Sequence, residues 1–149
     1  LITSIELDFN LMEQLNIRLQ EKYRRMEVEA DWEEYNTEDA DVVLVAYGVC
    51  ARLSKSVADA ARQDGIKIGV FRPKTLFPFP SAPLMKLAQK PNKPAFVAVE
   101  MSNGQMIDDV KLAIESSRPV LLANRMGGNI ITEDIIKEGL DKAAKLAGK

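Results

Sequence analysis

The chain of 149 residues carries 20 basic and 22 acidic residues, a formal net charge of −2 and 46% hydrophobic residues. These values are typical of a globular domain that is long enough to bury a substantial core. The weak net charge argues against nucleic acid or an acidic membrane surface as a partner. No apolar run approaches the roughly 20 residues that span a bilayer, and the N-terminus shows no signal-peptide pattern.

Histidine is absent, and Cys50 is the only cysteine. His-based general bases, Cys–His or Ser–His pairs and His metal sites are therefore excluded. Only oxygen ligands would remain for a metal, and the sequence has no carboxylate cluster of recognisable spacing, so we predict no metal site. A single cysteine forms no internal disulfide and suits a reducing, cytoplasmic compartment.

Residues 1–41 are predicted to form an amphipathic helix followed by an acidic linker. Between residues 8 and 29, apolar side chains recur at three- and four-residue steps: Met12, Leu15, Leu19, Tyr23 and Met26. Such a helix either lies across the domain that follows or joins that domain to another one. Because the chain starts at Leu1 rather than Met, we expect it to be a piece of a longer polypeptide, although processing would leave the same start.

The linker is rich in acidic residues, with eight of them in residues 27–41: Glu27, Glu29, Asp31, Glu33, Glu34, Glu38, Asp39 and Asp41. We interpret this stretch as solvated, with a short edge strand near residues 31–35. Like charges along a strand edge discourage pairing with another molecule, which favours the edge position. A docking patch for a basic partner is the alternative.

From Val42 onward, short apolar runs alternate with amphipathic segments, which predicts one α/β domain over residues 42–149. The predicted strands are residues 42–47, 66–71, 95–99 and 119–123. The inward side chains of the helices between and after them are Leu53, Val57, Ala60 and Ala61; Leu84, Leu87 and Ala88; Met106, Val110, Ala113 and Ile114; and Ile136, Leu140, Ala143 and Ala147. Gly65 is the predicted stop of the first helix, and the third begins near Gly104. The alternation requires a parallel sheet with helices on both faces.

The turn after the first parallel strand contains Gly48 and is followed by Arg52. A glycine lets a ligand approach the backbone, helix N–H groups point outward, and Arg52 adds positive charge, which indicates an anion site. Close packing of the turn is the alternative, because neither GxGxxG nor GxxxxGK[ST] is present. A helix N-terminus would lower the thiol pKa of Cys50, but without a base to activate it we interpret this residue as part of the core.

Glu100 ends the third parallel strand, and Asn103 and Gln105 follow it in a Ser-Asn-Gly turn. A carboxylate in this position either caps the next helix and bonds nearby backbone N–H groups or contributes to a ligand or interdomain site. Both interpretations stay open. Polar groups do collect at the carboxyl ends of strands in α/β sites, so all three residues are candidates.

Basic residues follow two other strands: Arg72 and Lys74 after the second and Arg125 after the fourth. Arg offers a bidentate fork for a carboxylate or phosphate. Because the carboxyl ends of parallel strands meet at one edge of a sheet, these residues form a candidate edge for a ligand or an interface, together with Gly48 and Arg52.

The loop after Lys74 is unusually apolar, with Leu76, Phe77 and Phe79 among several prolines. A monomer does not leave such a surface in water without reason. We therefore predict that these three side chains meet another domain or subunit.

Four passages in register resemble the C-terminal part of the α-subunit of the 2-oxoacid:ferredoxin oxidoreductases, and the chain is most similar to the 2-ketoisovalerate type. The passages are VLVAYGVCAR (43–52), GVFRPKTLFPFP (69–80), VAVEMSNGQMIDDV (97–110) and RMGGNIIT (125–132). The resemblance implies a transketolase C-terminal-like domain. That fold is a three-layer α/β/α arrangement with a mostly parallel five-stranded sheet and one antiparallel edge strand, supplied here by residues 31–35, behind a long N-terminal helix.

The resemblance also implies the parent reaction, in which a 2-oxoacid and coenzyme A give acyl-CoA, CO2 and reduced ferredoxin. The family uses thiamine diphosphate with Mg and iron–sulfur clusters. This chain has no GDG…N motif, and one cysteine cannot build a four-cysteine cluster site, so we expect none of these cofactors to bind here. No catalytic residue of the family maps onto the chain.

We therefore expect a non-catalytic domain that is inactive alone. Its partners would be the first domain of the same native α-chain, the companion subunits and, through the complex, ferredoxin. Two alternatives stay open. One is a stand-alone flavodoxin-like module with a phosphate site at Gly48, and the other is a protein-interaction domain unrelated to oxoacids.

Overall fold

The structure is a computed structural model, and it describes residues 7–146. In chain order its elements are α1 (Phe9–Met26), a 3-10 turn (Glu27–Glu29), β1 (Trp32–Tyr35), β2 (Val42–Ala46), α2 (Gly48–Gln63), β3 (Ile68–Pro73), α3 (Ser81–Ala88), β4 (Ala95–Glu100), α4 (Met106–Ala113), β5 (Val120–Asn124) and α5 (Glu133–Leu146). None of the helices in residues 7–146 is both long enough and apolar enough to cross a membrane.

The five strands form one sheet in the order β1-β3-β2-β4-β5. Only β1 runs antiparallel, against β3, while all other neighbours are parallel. The predicted three-layer α/β/α fold with one antiparallel edge strand behind an N-terminal helix is therefore confirmed.

The central strands β2 and β4 are apolar along their whole length because both of their faces are covered. Every residue of both strands is buried, and alternate side chains enter two separate cores. On one face α2 and α5 cover Val42, Leu44, Ala46, Val97 and Val99. On the other, α3 and α4 cover Val43, Val45, Phe96 and Ala98. The two helix layers thus follow directly from continuous apolar strands.

Asp8 caps the start of the helix α1. Its carboxylate accepts hydrogen bonds from the backbone N–H groups of Asn10 (2.9 Å) and Leu11 (3.1 Å). It is amphipathic as predicted, yet none of its residues is buried. Its ring contact with the domain is between Tyr23 and Phe77, at 5.4 Å between centroids. The helix therefore does not cover the domain that follows it.

The helix α2 ends in a hydrogen-bonded turn that moves the start of β3 further along the chain. Gly65 has φ +81°, its N–H donates to the carbonyl of Arg62, and the Ile66 N–H donates to that of Ala61. These bonds confirm Gly65 as the helix stop, and they engage Ile66 in the helix end. Hence β3 starts at Ile68, two residues later than predicted.

Two other sequence predictions need adjustment, and one is not tested. Val57 is buried as predicted, but Ala60 is exposed because the buried face of α2 includes Ala58 instead. The helix α4 begins at Met106 rather than near Gly104, which has φ +96°. Ala147 lies outside the described residues.

The connection from β1 to β2 crosses close over β3 at Gly69. A β-carbon on Gly69 would lie 2.7 Å from the carbonyl oxygen of Asn36 and 2.8 Å from the Cα of Thr37. Arg62 holds the crossing in place, since its guanidinium donates to the carbonyl oxygens of Asn36 (2.7 Å) and Ile68 (2.6 Å) and to Asp39 (2.7 Å). No side chain fits between these backbones.

Gly69→Ala is therefore expected to lower the free energy of unfolding by about 1–3 kcal/mol, because the new methyl group meets backbone that is fixed by Arg62. The matched variant is Gly139→Ala, whose β-carbon would meet only side-chain atoms of Ala123 (3.0 Å) and Val97 (3.2 Å). There the gain in helix propensity, about 1 kcal/mol, works against the crowding, so we expect a smaller loss than for Gly69→Ala. Chemical denaturation of both variants measures the difference, and equal effects would contradict the close crossing.

Candidate functional site

The carboxyl ends of β2, β3, β4 and β5 lie at one edge of the sheet, as expected for parallel strands. The antiparallel β1 starts at the same edge, because Trp32 pairs with Pro73 and Glu33 with Arg72. In sheets of this kind, ligands bind beyond the carboxyl ends of the strands. The predicted candidate residues therefore follow strands that end at this edge, but their side chains separate into distinct environments.

Glu100 is buried, with 1% of its surface exposed. Its Oε2 accepts hydrogen bonds from Ser102 Oγ (2.5 Å) and from the backbone N–H groups of Gln105 (3.1 Å) and Met106 (3.0 Å), and its Oε1 accepts from that of Ile107 (3.3 Å). The carboxylate thus caps the N-terminus of α4, where unpaired N–H groups and the helix dipole favour a negative charge. Of the two interpretations left open above, the geometry supports the structural one.

Asn103 and Gln105 have exposed side chains beside this cap. Gln105 takes part through its backbone N–H, which donates to Glu100. The turn itself is held by Asn124, whose Nδ2 donates to the carbonyl oxygen of Ser102 at 2.6 Å. Neither Asn103 nor Gln105 lines the cavity that Gly48, Arg52 and Arg72 form.

Gly48, Arg52 and Arg72 do converge. They line a hollow of about 330 Å³ together with Val49, Ala51 and Lys55, which we call the basic hollow. The sequence analysis did not identify Lys55 as a residue of this site. Its signal was present, because Lys55 lies three residues after Arg52, and residues three apart share a helix face.

One carboxylate, that of Glu33 in β1, pairs with cations of the basic hollow. It forms ion pairs with Lys55 and with Arg72 (Nη1 to Oε2, 3.2 Å). The Lys55 ammonium, hydrogen-bonded to Glu33, is the main cause that lowers the pKa of this carboxyl, and Arg72 contributes in the same direction. Arg72 is not fully satisfied by the pair, since its buried Nε has no partner within residues 7–146.

The other two predicted basic residues lie elsewhere. Lys74 pairs with Asp31, at 3.3 Å between Nζ and Oδ1. Arg125 is exposed, and its backbone N–H donates to the carbonyl oxygen of Glu100 at 3.3 Å. Neither lines the basic hollow, so only part of the predicted edge forms one site.

Cys50 is a core residue, as its sequence context suggested. It is buried, and burial raises the pKa of its thiol, with a further contribution from the nearby Glu100 carboxylate. Its thiolate is thus disfavoured rather than activated. Within the described residues, no group of three or more acidic or cysteine side chains is arranged to hold a metal ion.

A second cavity of about 760 Å³ separates the end of α1 from the loop at residues 76–83 and from α4. We call it the apolar groove; its apolar lining includes Tyr23, Val28, Trp32, Leu76, Phe77, Phe79 and Leu112. Of the predicted interface residues, Leu76 (49%) and Phe77 (63%) are exposed. Phe79 is half-buried and packs on the core between the sheet and α3 and α4.

Residues 40–136, more than half of the chain, match the family described as pyruvate:ferredoxin oxidoreductase core domain II. The chain belongs to this family. The match covers β2 to β5 and every residue that lines the basic hollow, while Glu33, which pairs with two of those residues, precedes it in β1.

Curated relatives of this core domain II chain are subunits of oxidoreductases. It is 50% identical to the ketoisovalerate oxidoreductase subunit VorB of Methanothermobacter marburgensis over 150 aligned residues, which is 100% of this chain and 41% of that subunit. Against the VorB subunit of Methanothermobacter thermautotrophicus the identity is 46%, over 99% of this chain and again 41% of the relative. The chain thus spans less than half the length of these relatives.

Solved structures support the fold of the core domain II chain. A split-gene transketolase, described as an inactive β4 tetramer, superimposes with a TM-score of 0.67 at 20% identity, over 78% of this chain and 42% of the other. The 2-oxoglutarate:ferredoxin oxidoreductase of Magnetococcus marinus also gives 0.67, at 17% identity, over 93% of this chain and 24% of the other. Both superpositions support the predicted transketolase-like architecture.

The cap formed by Glu100 predicts a stability effect. Glu100→Ala leaves three backbone N–H donors at the start of α4 without their acceptor, and we expect the free energy of unfolding to fall by about 2–4 kcal/mol. Asp108→Ala is the matched control on the same helix: its carboxylate is exposed and meets only Lys111, at 3.7 Å, so the expected loss is within about 0.5 kcal/mol. Denaturant titration of both variants measures this, and a neutral Glu100→Ala would refute the structural assignment.

Proposed function

We propose that this chain is the C-terminal domain of the α-subunit of a 2-oxoacid:ferredoxin oxidoreductase of the 2-ketoisovalerate type. The observation that carries the proposal is the 50% identity to a ketoisovalerate oxidoreductase subunit along the whole chain. The parent enzyme would convert a branched-chain 2-oxoacid and coenzyme A to acyl-CoA, CO2 and reduced ferredoxin. It would work in the cytoplasm.

Within that enzyme the chain contributes no catalytic group. Its donor set does not fit the cofactors of the reaction, because the single cysteine is buried and the hydrogen bonds of Glu100 are used to cap α4. Thiamine diphosphate with Mg and the iron–sulfur clusters would be held by other parts of the enzyme. The chain supplies packing surfaces instead.

Two features support an interface function. The helix α1 has no buried residue, although its apolar stripe is long. Beside its end, Leu76 and Phe77 are exposed on the apolar groove. Exposed apolar surface that is contiguous in this way marks sites of protein contact. We assign these surfaces to contacts with the first domain of the same native chain and with companion subunits, and ferredoxin would interact through the assembled complex.

The interface proposal predicts an assembly defect. Phe77→Asp should weaken association with the remaining parts of the enzyme by roughly tenfold or more, because burying a carboxylate in an apolar contact is unfavourable. The domain should stay folded, since Phe77 is 63% exposed. Size-exclusion chromatography of the co-expressed subunits measures the association.

Ile66→Asp is the matched control, because Ile66 is 51% exposed but precedes β3, at the opposite edge of the sheet. It should assemble as the wild type does. Phe79→Asp differs again, because Phe79 packs on the core and its loss should lower stability as well. Normal assembly of Phe77→Asp would remove the groove from the proposed interface.

The enzymatic part of the proposal predicts where activity resides. The 149-residue chain alone should show no reduction of ferredoxin or a redox dye with 2-ketoisovalerate and coenzyme A, because it carries no group suited to the cofactors. The complete α-subunit, co-expressed with its companion subunits, should show such reduction. Turnover by the chain alone, or a complex inactive with every 2-oxoacid tried, would refute the assignment.

A further inference from the structure

We propose that the basic hollow binds a phosphoryl group, with Arg52, Lys55 and Arg72 as its cationic ligands. This site goes beyond the interface function above and does not depend on it, because it lies on the α2 side of the sheet, whereas the apolar groove lies on the side of α3 and α4. The argument rests on the charge inside the hollow, on unused hydrogen-bond donors and on an open backbone approach.

The charge of the basic hollow is not balanced by the chain itself. Three cationic side chains line it, and Glu33 is the carboxylate that pairs with two of them. Arg52 is exposed and forms no ion pair within the described part of the chain. Two positive charges therefore remain in a concave site on a protein whose overall charge is −2. A concave surface lined by one sign of charge concentrates ligands of the other sign.

Some N–H donors of the cationic side chains also have no acceptor within the described residues. A guanidinium has five N–H donors, and Arg72 donates one of them, from Nη1, to Glu33, which leaves further donors on its two terminal nitrogens. The side chain is 42% exposed at the wall of the hollow, so its terminal nitrogens remain accessible. Two guanidinium groups and one ammonium match the several acceptor oxygens of a phosphate better than the two of a carboxylate.

The backbone at the rim adds a third element. Gly48 begins α2 with φ +57°, and no atom lies within 4 Å of the position that a β-carbon would take. Tyr47, which precedes it, provides no side-chain cap. The first N–H groups of α2 therefore lack both an intrahelical acceptor and a capping side chain, and they lie beside the three cations.

The size of the hollow limits what it binds. At about 330 Å³ it is at the lower end of the range of small-molecule sites, so it suits one or two phosphoryl groups rather than a whole dinucleotide. The same chemistry is offered by free phosphate and by the phosphate end of a nucleotide. The experiment therefore compares inorganic phosphate, inorganic pyrophosphate and ADP.

Titration of these three probes into the 149-residue chain, followed through the backbone amide signals of Gly48 and Val49, tests the site. We expect chemical-shift changes that saturate with the concentration of the probe. The affinity should fall as salt is added, and pyrophosphate should bind more tightly than phosphate. ADP tighter than pyrophosphate would indicate a nucleotide site, and equal affinity would indicate that only the phosphoryl groups are recognised. Shifts without saturation for all three probes would overturn the proposal.

Two substitutions of opposite expected sign separate binding from a structural effect. Arg52→Gln should weaken pyrophosphate binding roughly tenfold, because it removes a charge-assisted hydrogen bond. Glu33→Gln should strengthen it roughly threefold, because it removes the competing carboxylate. Arg125→Gln is the control, since Arg125 lies at the same sheet edge but outside the hollow. An equal loss with Arg125→Gln would indicate only the general field of the edge and would overturn the site.

The assembled oxidoreductase provides the second measurement. Calorimetric titration of pyrophosphate into the complex should give less binding heat for Arg52→Gln than for the wild type, while Arg125→Gln matches the wild type. If wild type and Arg52→Gln are equal in the complex, another domain covers the hollow, and the site does not exist in the enzyme. This result would leave the assignment of the enzyme untouched, because that assignment rests on turnover.

Discussion

The antiparallel pairing of β1 with β3 determines where both candidate surfaces lie. The four residues of β1 lie at the edge of the sheet, with Glu33 opposite Arg72 and Trp32 opposite Pro73. Since successive side chains of a strand point to opposite faces, Glu33 reaches the side of α2 and Trp32 reaches the side of α3 and α4. One short strand therefore places a carboxylate against two cations of the basic hollow and an indole at the apolar groove.

Two carboxylates at the same sheet edge have different functions because their burial differs. Glu100 is enclosed, and its oxygens accept hydrogen bonds from one hydroxyl and three backbone N–H groups at the start of α4. No capacity remains for a ligand. Glu33 is partly exposed and shares its charge between Lys55 and Arg72. An ion pair that is open to water is weak. An incoming anion can therefore compete with Glu33 for its cations, but it cannot compete with the buried Glu100 for its hydrogen-bond donors.

The distribution of apolar surface explains why a domain with two complete cores still has exposed aromatic and aliphatic residues. The central strands β2 and β4 are fully buried under α2 and α5 on one face and under α3 and α4 on the other. Many of the exposed apolar side chains lie on α1 and around the apolar groove, among them Leu76 and Phe77. Their exposure is consistent with their proposed use in contacts within a larger enzyme. The groove and the basic hollow are then separate surfaces, one for protein and one for a small anion.

The sequence by itself determined the alternating elements, the parallel sheet, Gly65 as a helix stop and Cys50 as a core residue. These follow from local patterns: continuous apolar runs, helical periodicity and a glycine directly after the last periodic residue. The family followed from four short passages, and the residue types also excluded His chemistry and cysteine-bound clusters. The start of β3 was misplaced because the helix end engages Ile66, which no periodicity reveals.

Only the tertiary structure decided which edge residues act together. Sequence reasoning placed Arg72, Lys74, Glu100 and Arg125 at one edge, since all follow parallel strands. Whether side chains at that edge converge depends on distances between strands and on competing partners. Lys74 forms an ion pair with Asp31. The side chain of Glu100 is directed into the protein because the backbone N–H groups at the start of α4 donate to its carboxylate. Lys55 joins Arg52 and Arg72 because α2 packs beside β3, a long-range contact that chain order does not encode.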